Sequence, residues 1–435
     1  MAGLAPPTQI ISAVTATRPM VEALFDELRG ATLDHPGVTR APYGEGEAFA
    51  HAMLARKARA LGYEVSHDLA LNTYVTLPGR DRSAPVLMTG SHLDSVPHGG
   101  NYDGAAGVVA GLAALQALRA LCPQPERDVT VMAIRAEESV WFQVSYVGSR
   151  GAFGILPPAA LDSATRIDSG RSLASHMADQ GADVAALREG RRHLDPARIA
   201  SFVELHIEQA PSLLEAGRPI AVGTGIPGNF RYPDITISGE QAHVGLPRRF
   251  RRDAALAGAD FATGMDRIWE EHEAAGIPMA TTIGRFHTDA ALHGMTSVPG
   301  RFLMSLDVRA YDEAVLAALE RRVLTMVAEI ESRRGVRFDL GARASAPVGP
   351  VAPLVRECLE RQAIAHGLDW QPLGSPASHD AATFAAMGVP MGMVFVRNAN
   401  GSHNPDEAMD IDDLMAGITI LAGWMLESAT ASTAG

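Results

Sequence analysis

Residues 86–112 read VLMTGSHLDSVPHGGNYDGAAGVVAGL, and the rest of the chain can be placed around them. The apolar run Pro85–Met88 reads as a buried strand, and Gly104–Leu121, rich in Ala, Leu and Val, as the helix beyond it. Between them the chain turns polar. His92 and Asp94 are spaced i, i+2 at the strand's C-terminal end, the edge where open α/β sheets collect their ligands. An imidazole that binds metal through one nitrogen usually gives its other N–H to an acceptor, and Asp94 is spaced to serve. Gly99–Gly100–Asn101–Tyr102–Asp103–Gly104 then forms a tight loop that presents a second carboxylate, Asp103, just before the helix. Taken singly, Asp103 is an ordinary helix N-cap. Taken with His92, it is half of a metal site.

Downstream, Val129–Ile134 is another apolar strand, and it runs into Ala136–Glu137–Glu138. Strand, helix, strand implies a parallel sheet whose C-terminal edge gathers His92, Asp103 and Glu138. Adjacent strand residues point to opposite sides, so the two glutamates are expected to do different work. One carboxylate can bind a metal while its neighbour serves as general base. Phe202–Gln209 alternates at period two, with Val203, Leu205 and Ile207 on one face and Glu204, His206 and Glu208 on the other. His206 is a candidate ligand, flanked by carboxylates able to orient it. Ser375–Asp380 is a small-residue loop, and Asn398–Asn404 presents His403 just after the apolar strand Met391–Val396.

The first part of the chain carries a helix at Glu47–Leu61 and a pair of short strands within Tyr63–Leu77. From Gly217 the pattern changes to strand, helix, strand, strand, helix, strand, the ferredoxin-like split βαβ plan. The expected fold is therefore α/β: a mixed-sheet catalytic domain, 1–216 and 346–435, interrupted by an inserted α+β domain, 217–345. A chain of 435 residues, 47% hydrophobic and 20% charged, can bury the cores of two such domains. A formal net charge of −13 argues against nucleic acid as a partner, since phosphate neutralisation needs a basic face. No segment reaches the length of a membrane span and no secretory leader is evident, so the cytoplasm is the expected compartment. Cys122 and Cys358 form no metal-binding spacing and read as small buried residues. The short Ala/Ser/Thr tail is expected to fray.

In order, the segments GSHLDSVPHGGNYDGAAGV, AEE, ELHIEQAP, GEQAHVG, RRDA, LDVR, SHDA and GSHNPDE resemble the two-metal amidohydrolases of the M20 metallopeptidase clan. Within it they are similar to the hydantoinase/carbamoylase group, which includes allantoate amidohydrolases and N-carbamoyl-L-amino acid hydrolases. The resemblance runs from about Tyr43 to Leu426. It implies a lid and dimerisation role for the inserted domain, and hence a homodimer. It also implies two divalent ions, His92, Asp103 and His206 binding one and Asp103, Glu138 and His403 the other, with Asp103 bridging. Nitrogen and oxygen ligands of this kind suit zinc, with manganese, cobalt or nickel as alternatives. Glu137 would be the general base, counted with Asp94 as catalytic. Arg309 would grip a substrate carboxylate, where a guanidinium fork matches two oxygens. Gln209 and His243 would contact the scissile amide, His243 from across the dimer interface. Thr296, Ser378 and His379 complete the expected substrate contacts.

The departures concern the substrate pocket. The group's EEGSRF is here Glu137–Glu138–Ser139–Val140–Trp141–Phe142, placing a bulky aromatic where an Arg is usual and implying altered pocket polarity. The Asn of NxIPG is replaced by Thr296 in Thr296–Gly300, HAGTTPM becomes His243–Arg249, and SGAGHDA becomes Ser375–Ala381. Three functional classes stay open: hydrolysis of a carbamoyl or ureido bond of a small molecule, an aminoacylase or peptidase activity of the wider clan, and a non-catalytic binding protein. Retention of Glu137 and of every expected ligand speaks against the third.

Overall fold

The computed structural model describes residues 6–430, so the ends of the chain, the last five residues of the tail included, lie outside the described residues. The chain divides into two compact units, one holding the chain up to Ile226 and from Pro350 onward, the other Pro227–Gly349.

The first unit is built on a mixed sheet. Its centre consists of four parallel strands in the order Val129–Ile134, Val86–His92, Ile199–Ile207 and Met391–Val396. Antiparallel strands flank them, Thr73–Leu77 on one side and Ile220–Ile226 on the other, and Glu64–His67 and Trp370–Gly374 extend the sheet outward. Central parallel strands are covered on both faces, which is why their sequences are apolar runs. Helices Ala105–Leu121 and Ile411–Thr430 cover one face, burying Leu112, Leu421 and Trp424 against Val131, Val203 and Val394. The small residues of the first helix allow close approach: a Cβ on Gly107 would fall 2.1 Å from the Leu205 carbonyl oxygen. On the other face Phe202 stacks on Phe384 with ring centroids 3.7 Å apart.

Ile220–Ile226 pairs with Met391–Val396 and belongs to this sheet, so the first unit extends about a strand beyond the composition change at Gly217. Phe202–Gln209 was expected to be two-faced; instead Glu204, His206 and Glu208 are as buried as the apolar residues between them, because the strand is central. Between Ser139 and Arg188 lie five short α-helices: Ser139–Phe142, Val147–Ala152, Pro158–Ser163, Leu173–Asp179 and Val184–Arg188. They are too short to display an apolar stripe. They close over their own small core of Trp141, Phe142, Leu161, Leu173 and Met177.

In the second unit the strands run in the order Met279–Thr282, Arg301–Ala310, Gly228–Ser238, Arg337–Asp339, all antiparallel. Helices Ala254–Ala274 and Glu313–Arg334 contribute Phe261, Met265, Leu319 and Val323 to a core with Ile235, Met304 and Val308. This is the strand–helix–strand twice over that the sequence pattern predicts. Arg301–Ala310 buries every second residue, as a sheet covered on one face requires. Among the described residues no helix is long and apolar enough to cross a membrane.

Candidate metal centre

Because the four central strands are parallel, their C-terminal ends meet on one edge of the sheet. His92 ends one strand, Glu137 and Glu138 follow the next, His206 lies at the end of the third, and His403 is in the loop beyond the fourth. Asp103 stands among them. Its Oδ1 lies 3.4 Å from His92 Nε2 and 3.2 Å from His206 Nε2, and its Oδ2 lies 3.5 Å from His403 Nε2. His403 Nε2 is also 3.2 Å from Glu138 Oε1. Ligand atoms of His92, Asp103 and His206 lie within 4.8 Å of one another, as do those of Asp103, Glu138 and His403. A third grouping of the same kind joins His92, Glu137 and Glu138.

The ring orientations are fixed from behind. His92 Nδ1 faces the Asp94 carbonyl at 3.1 Å and its Oδ1 at 3.3 Å, and His206 Nδ1 faces the Ile207 carbonyl at 2.9 Å. The strand carboxylates expected to orient His206 are engaged elsewhere. Glu204 accepts from Ser91 Oγ and Ala381 N, and Glu208 accepts from the backbone of Ser212 and Leu213. The close approach of the helix to His92 depends on Gly104, whose φ is +64° and whose place a Cβ could take only 2.4 Å from the imidazole. Asp103 is thus no N-cap: the helix begins after Gly104 without a side-chain cap.

Asp103 Oδ1 and His206 Nε2 are buried and, among the described residues, have no hydrogen-bond partner. Buried polar atoms are normally satisfied, and two imidazole nitrogens facing one carboxylate oxygen form a donor set that a divalent cation completes. Burial works to raise the Asp103 carboxyl, but His206 and His92 together draw it well below the usual carboxylate range. The bond to Glu138 lifts His403 to about 9. A cation binding here displaces protons, so its affinity rises with pH.

The Glu137–Glu138 segment is held by its backbone. Asp94, fully buried, accepts the N–H of Glu137 at 3.1 Å and of Glu138 at 3.0 Å while also facing His92. Asp94, expected as a catalytic residue, lies buried at the centre and holds the backbone of both glutamates. Ala136, just before the pair, has φ +54°, a left-handed conformation that costs an L-residue roughly 1–2 kcal/mol. Glu137 is pushed well above the usual carboxylate range, first by desolvation and then by the charges of Glu138, Asp380 and Asp94, with His92 opposing.

The other expected residues fall into two groups. Gln209 Nε2 donates to Asp103 Oδ2 at 2.8 Å, and the His379 ring lies 4.3 Å from that of His206. Burial and then His206 hold the His379 imidazole well below its ordinary value, which keeps it neutral. Ser378, half-buried, precedes it. His243, Thr296 and Arg309 lie in the second unit. His243 is exposed on a short strand paired with Ser297–Val298, the Thr296 carbonyl accepts from Val244 N, and Arg309 pairs with Asp307 of its own strand at 3.1 Å. Trp141 is 4% exposed, with its indole N–H on the Ser95 carbonyl at 2.7 Å.

Three buried residues that the sequence did not disclose frame the centre. Glu407 accepts the N–H of Tyr102 at 2.7 Å and of Asp103 at 3.2 Å, and Ser402 Oγ bonds both Glu407 and Asp103. Arg40 donates to the Leu93 carbonyl at 2.7 Å and to Asn101 Oδ1 at 3.3 Å, tying the His92 strand end to the Asp103 loop. Glu47 accepts from Ala136 N at 2.9 Å and pairs with Arg135 at 2.7 Å, and burial still lifts its carboxyl to about 7. Each is distant in sequence from what it holds. Glu407 alone left a trace, in the GSHNPDE segment.

Residues 88–427 match the model of peptidase family M20/M25/M40. The chain is 33% identical to an N-carbamoyl-L-amino acid amidohydrolase of Geobacillus stearothermophilus, over 88% of this chain and 92% of that one. It is 31% identical to an allantoate amidohydrolase of Escherichia coli K12, over 89% and 92% respectively. A crystal structure of a hydantoinase/carbamoylase family amidase from Burkholderia multivorans superposes with a TM-score of 0.84 at 26% identity, covering 96% of this chain and 98% of that one. The ordered motifs, the converging ligand sets and these likenesses agree, and the chain belongs to peptidase family M20/M25/M40.

Proposed function

We propose that this chain is a metal-dependent amidohydrolase that cleaves a linear C–N bond, other than a peptide bond, of an N-carbamoyl amino acid or related ureido acid. The observation that carries the reading is the pair of ligand sets sharing Asp103, with Glu137 beside them. The relatives named as amidohydrolases of carbamoyl amino acids and allantoate support the substrate class. His92, Asp103 and His206 would hold one divalent ion and Asp103, Glu138 and His403 a second, zinc suiting the donors best and manganese, cobalt or nickel being the alternatives. Ions bound there would polarise the scissile carbonyl and acidify the attacking water.

The chain's own residues supply the proton transfers and the grip on substrate. Glu137 takes a proton from the water as it adds to the carbonyl carbon, then returns it to the departing nitrogen as the C–N bond breaks. Its raised proton affinity suits both halves of that exchange. Gln209, Ser378 and His379 line the approach in the first unit. To the inserted unit we assign, on the family resemblance, the roles of lid and dimer contact, with His243, Thr296 and Arg309 meeting the substrate. The Arg309–Asp307 pair is partly exposed, so exchanging Asp307 for a substrate carboxylate has a small cost. Two free cysteines, one of them buried, accord with a cytoplasmic setting.

The test is a panel of N-carbamoyl-L-amino acids, allantoate, N-acetyl amino acids and dipeptides, assayed with the apo-protein reloaded with Zn, Mn, Co or Ni. The expected outcome is turnover of a carbamoyl or ureido acid that disappears on chelation. Faster turnover of acetyl amino acids or dipeptides would replace this reading with the aminoacylase or peptidase one.

A further inference from the structure

We infer that Glu47 is a positioning residue for Glu137 and acts through the left-handed backbone of Ala136; the inference rests on the reading of Glu137 as general base. Glu47 lies in the first turn of the helix Glu45–Ala60 and is fully buried, so it has no path to substrate. Its Oε2 accepts Tyr43 N–H and an Arg135 N–H, each at 2.7 Å, as a helix-start glutamate and its ion-pair partner would. Its Oε1 does something else. It accepts the N–H of Ala136 at 2.9 Å, while the Ala136 carbonyl accepts Val147 N–H at 3.0 Å.

These bonds clamp both sides of a residue whose φ of +54° an alanine does not adopt unaided. The kink takes the chain out of the line of Val129–Ile134 and hands the next two N–H groups to Asp94. The neighbours differ in what else holds them. Glu138 has His403 on its carboxylate, whereas no hydrogen bond reaches the Glu137 carboxylate among the described residues. The aim of Glu137 is therefore set by its backbone, and a looser Ala136 moves the base more than the ligand.

The experiment compares Glu47→Asp, which keeps the charge beside Arg135 but shortens the reach to Ala136, and Glu47→Gln, each with and without Ala136→Gly. Glycine adopts positive φ without the penalty. Steady-state kinetics use the best substrate of the panel above, with bound metal counted and Tm measured for each protein. In both Glu47 variants kcat is expected to fall about tenfold to a hundredfold, as a misaimed group does. KM and bound metal stay within about twofold, the pattern of a lost transition-state contribution. Adding Ala136→Gly recovers most of kcat. Should either Glu47 variant fail to fold, the other carries the comparison; should both fail, or should glycine restore nothing, Glu47 is structural and the inference is overturned. Metal loss in step with kcat overturns it too. Glu137→Gln, run alongside, separates the two claims: if it keeps near-full turnover, the assignment of the base is at fault, not the clamp alone.

Discussion

The two units of this chain handle charge in opposite ways. In the first, carboxylates and imidazoles are buried and converge: His92, Asp94, Asp103, Glu138, Glu204, His206, Asp380 and Glu407 are all nearly inaccessible. In the second, apart from the buried helix cap Asp253, charges stay near the surface and many pair with neighbours, as in Arg231–Asp307, Arg322–Glu271 and Arg343–Glu320. Burying a charge is costly unless something compensates it, and burying several acids within reach of one another is costlier still. Folding alone gives no reason for the first pattern, whereas the second is what a soluble surface does by default. The contrast marks the parallel sheet's edge as the place where stability has been traded for chemistry.

The sharpest way to break the contrast is to remove its centre. Asp103→Ala takes the shared carboxylate from both ligand sets, so the variant is expected to bind neither ion and to lose all measurable turnover. Chelation of the wild-type protein should do the same. Metal analysis of the purified variant checks it, and full occupancy by two ions would dismiss Asp103 as the bridge. Two dications need an anion between them at the roughly 3.5–4 Å typical of such pairs, which is why this effect is the largest.

How far the sequence discloses each region follows from the same contrast. In the inserted unit, alternation in Arg301–Ala310 and the long helix Glu313–Arg334 reflect one-sided burial, so pattern and structure coincide. In the first unit the apolar runs reveal the central strands, and His92, Asp103, Glu138, His206 and His403 stand out because polar residues at strand ends are conspicuous. What stays hidden is whatever acts across the fold. Glu47 looks like an acid at a helix start, and Arg40 like a loop arginine, until their partners arrive from remote strands. The double burial of Phe202–Gln209 was concealed for a related reason: its polar face meets the site and a buried network, where alternation ordinarily means solvent. Trp141 is the reverse case, a residue change beside the glutamates that is conspicuous in the sequence, while the core its side chain joins with Phe142, Leu161 and Leu173 is not.

A second prediction sharpens the contrast within the first unit by separating ligand from base. Glu137→Gln keeps the shape and the backbone anchors on Asp94 but cannot accept a proton. Turnover is expected to fall by about 10²–10⁴-fold, the usual worth of a general base, with bound metal unchanged. Because His92, Glu137 and Glu138 also lie close enough to share an ion, metal analysis decides the assignment: loss of an ion from Glu137→Gln would make Glu137 a ligand.

The smallest effect is expected in the other unit. Arg343 engages Glu320 through two nitrogens, at 2.6 and 3.0 Å, and Tyr232 donates to the same carboxylate at 2.8 Å. With the Arg343 side chain 46% exposed, the pair is solvated, and Arg343→Ala should cost only about 0.2–1 kcal/mol of stability. The sign of its pH dependence follows from Glu320, whose carboxyl is held below the ordinary 4.5, chiefly by the bond to Arg343 and against desolvation. A depressed folded-state value means the contribution is complete above the unfolded carboxylate's range and is lost as the pH falls through the folded one. Denaturant midpoints of wild type and variant should therefore differ slightly at pH 7, converge toward pH 3, and converge again in high salt, where surface pairs are screened. A difference that persisted in acid and in salt would mean that Arg343 acts through packing of its aliphatic stem, and that this surface is less like ordinary solvated charge than its exposure suggests.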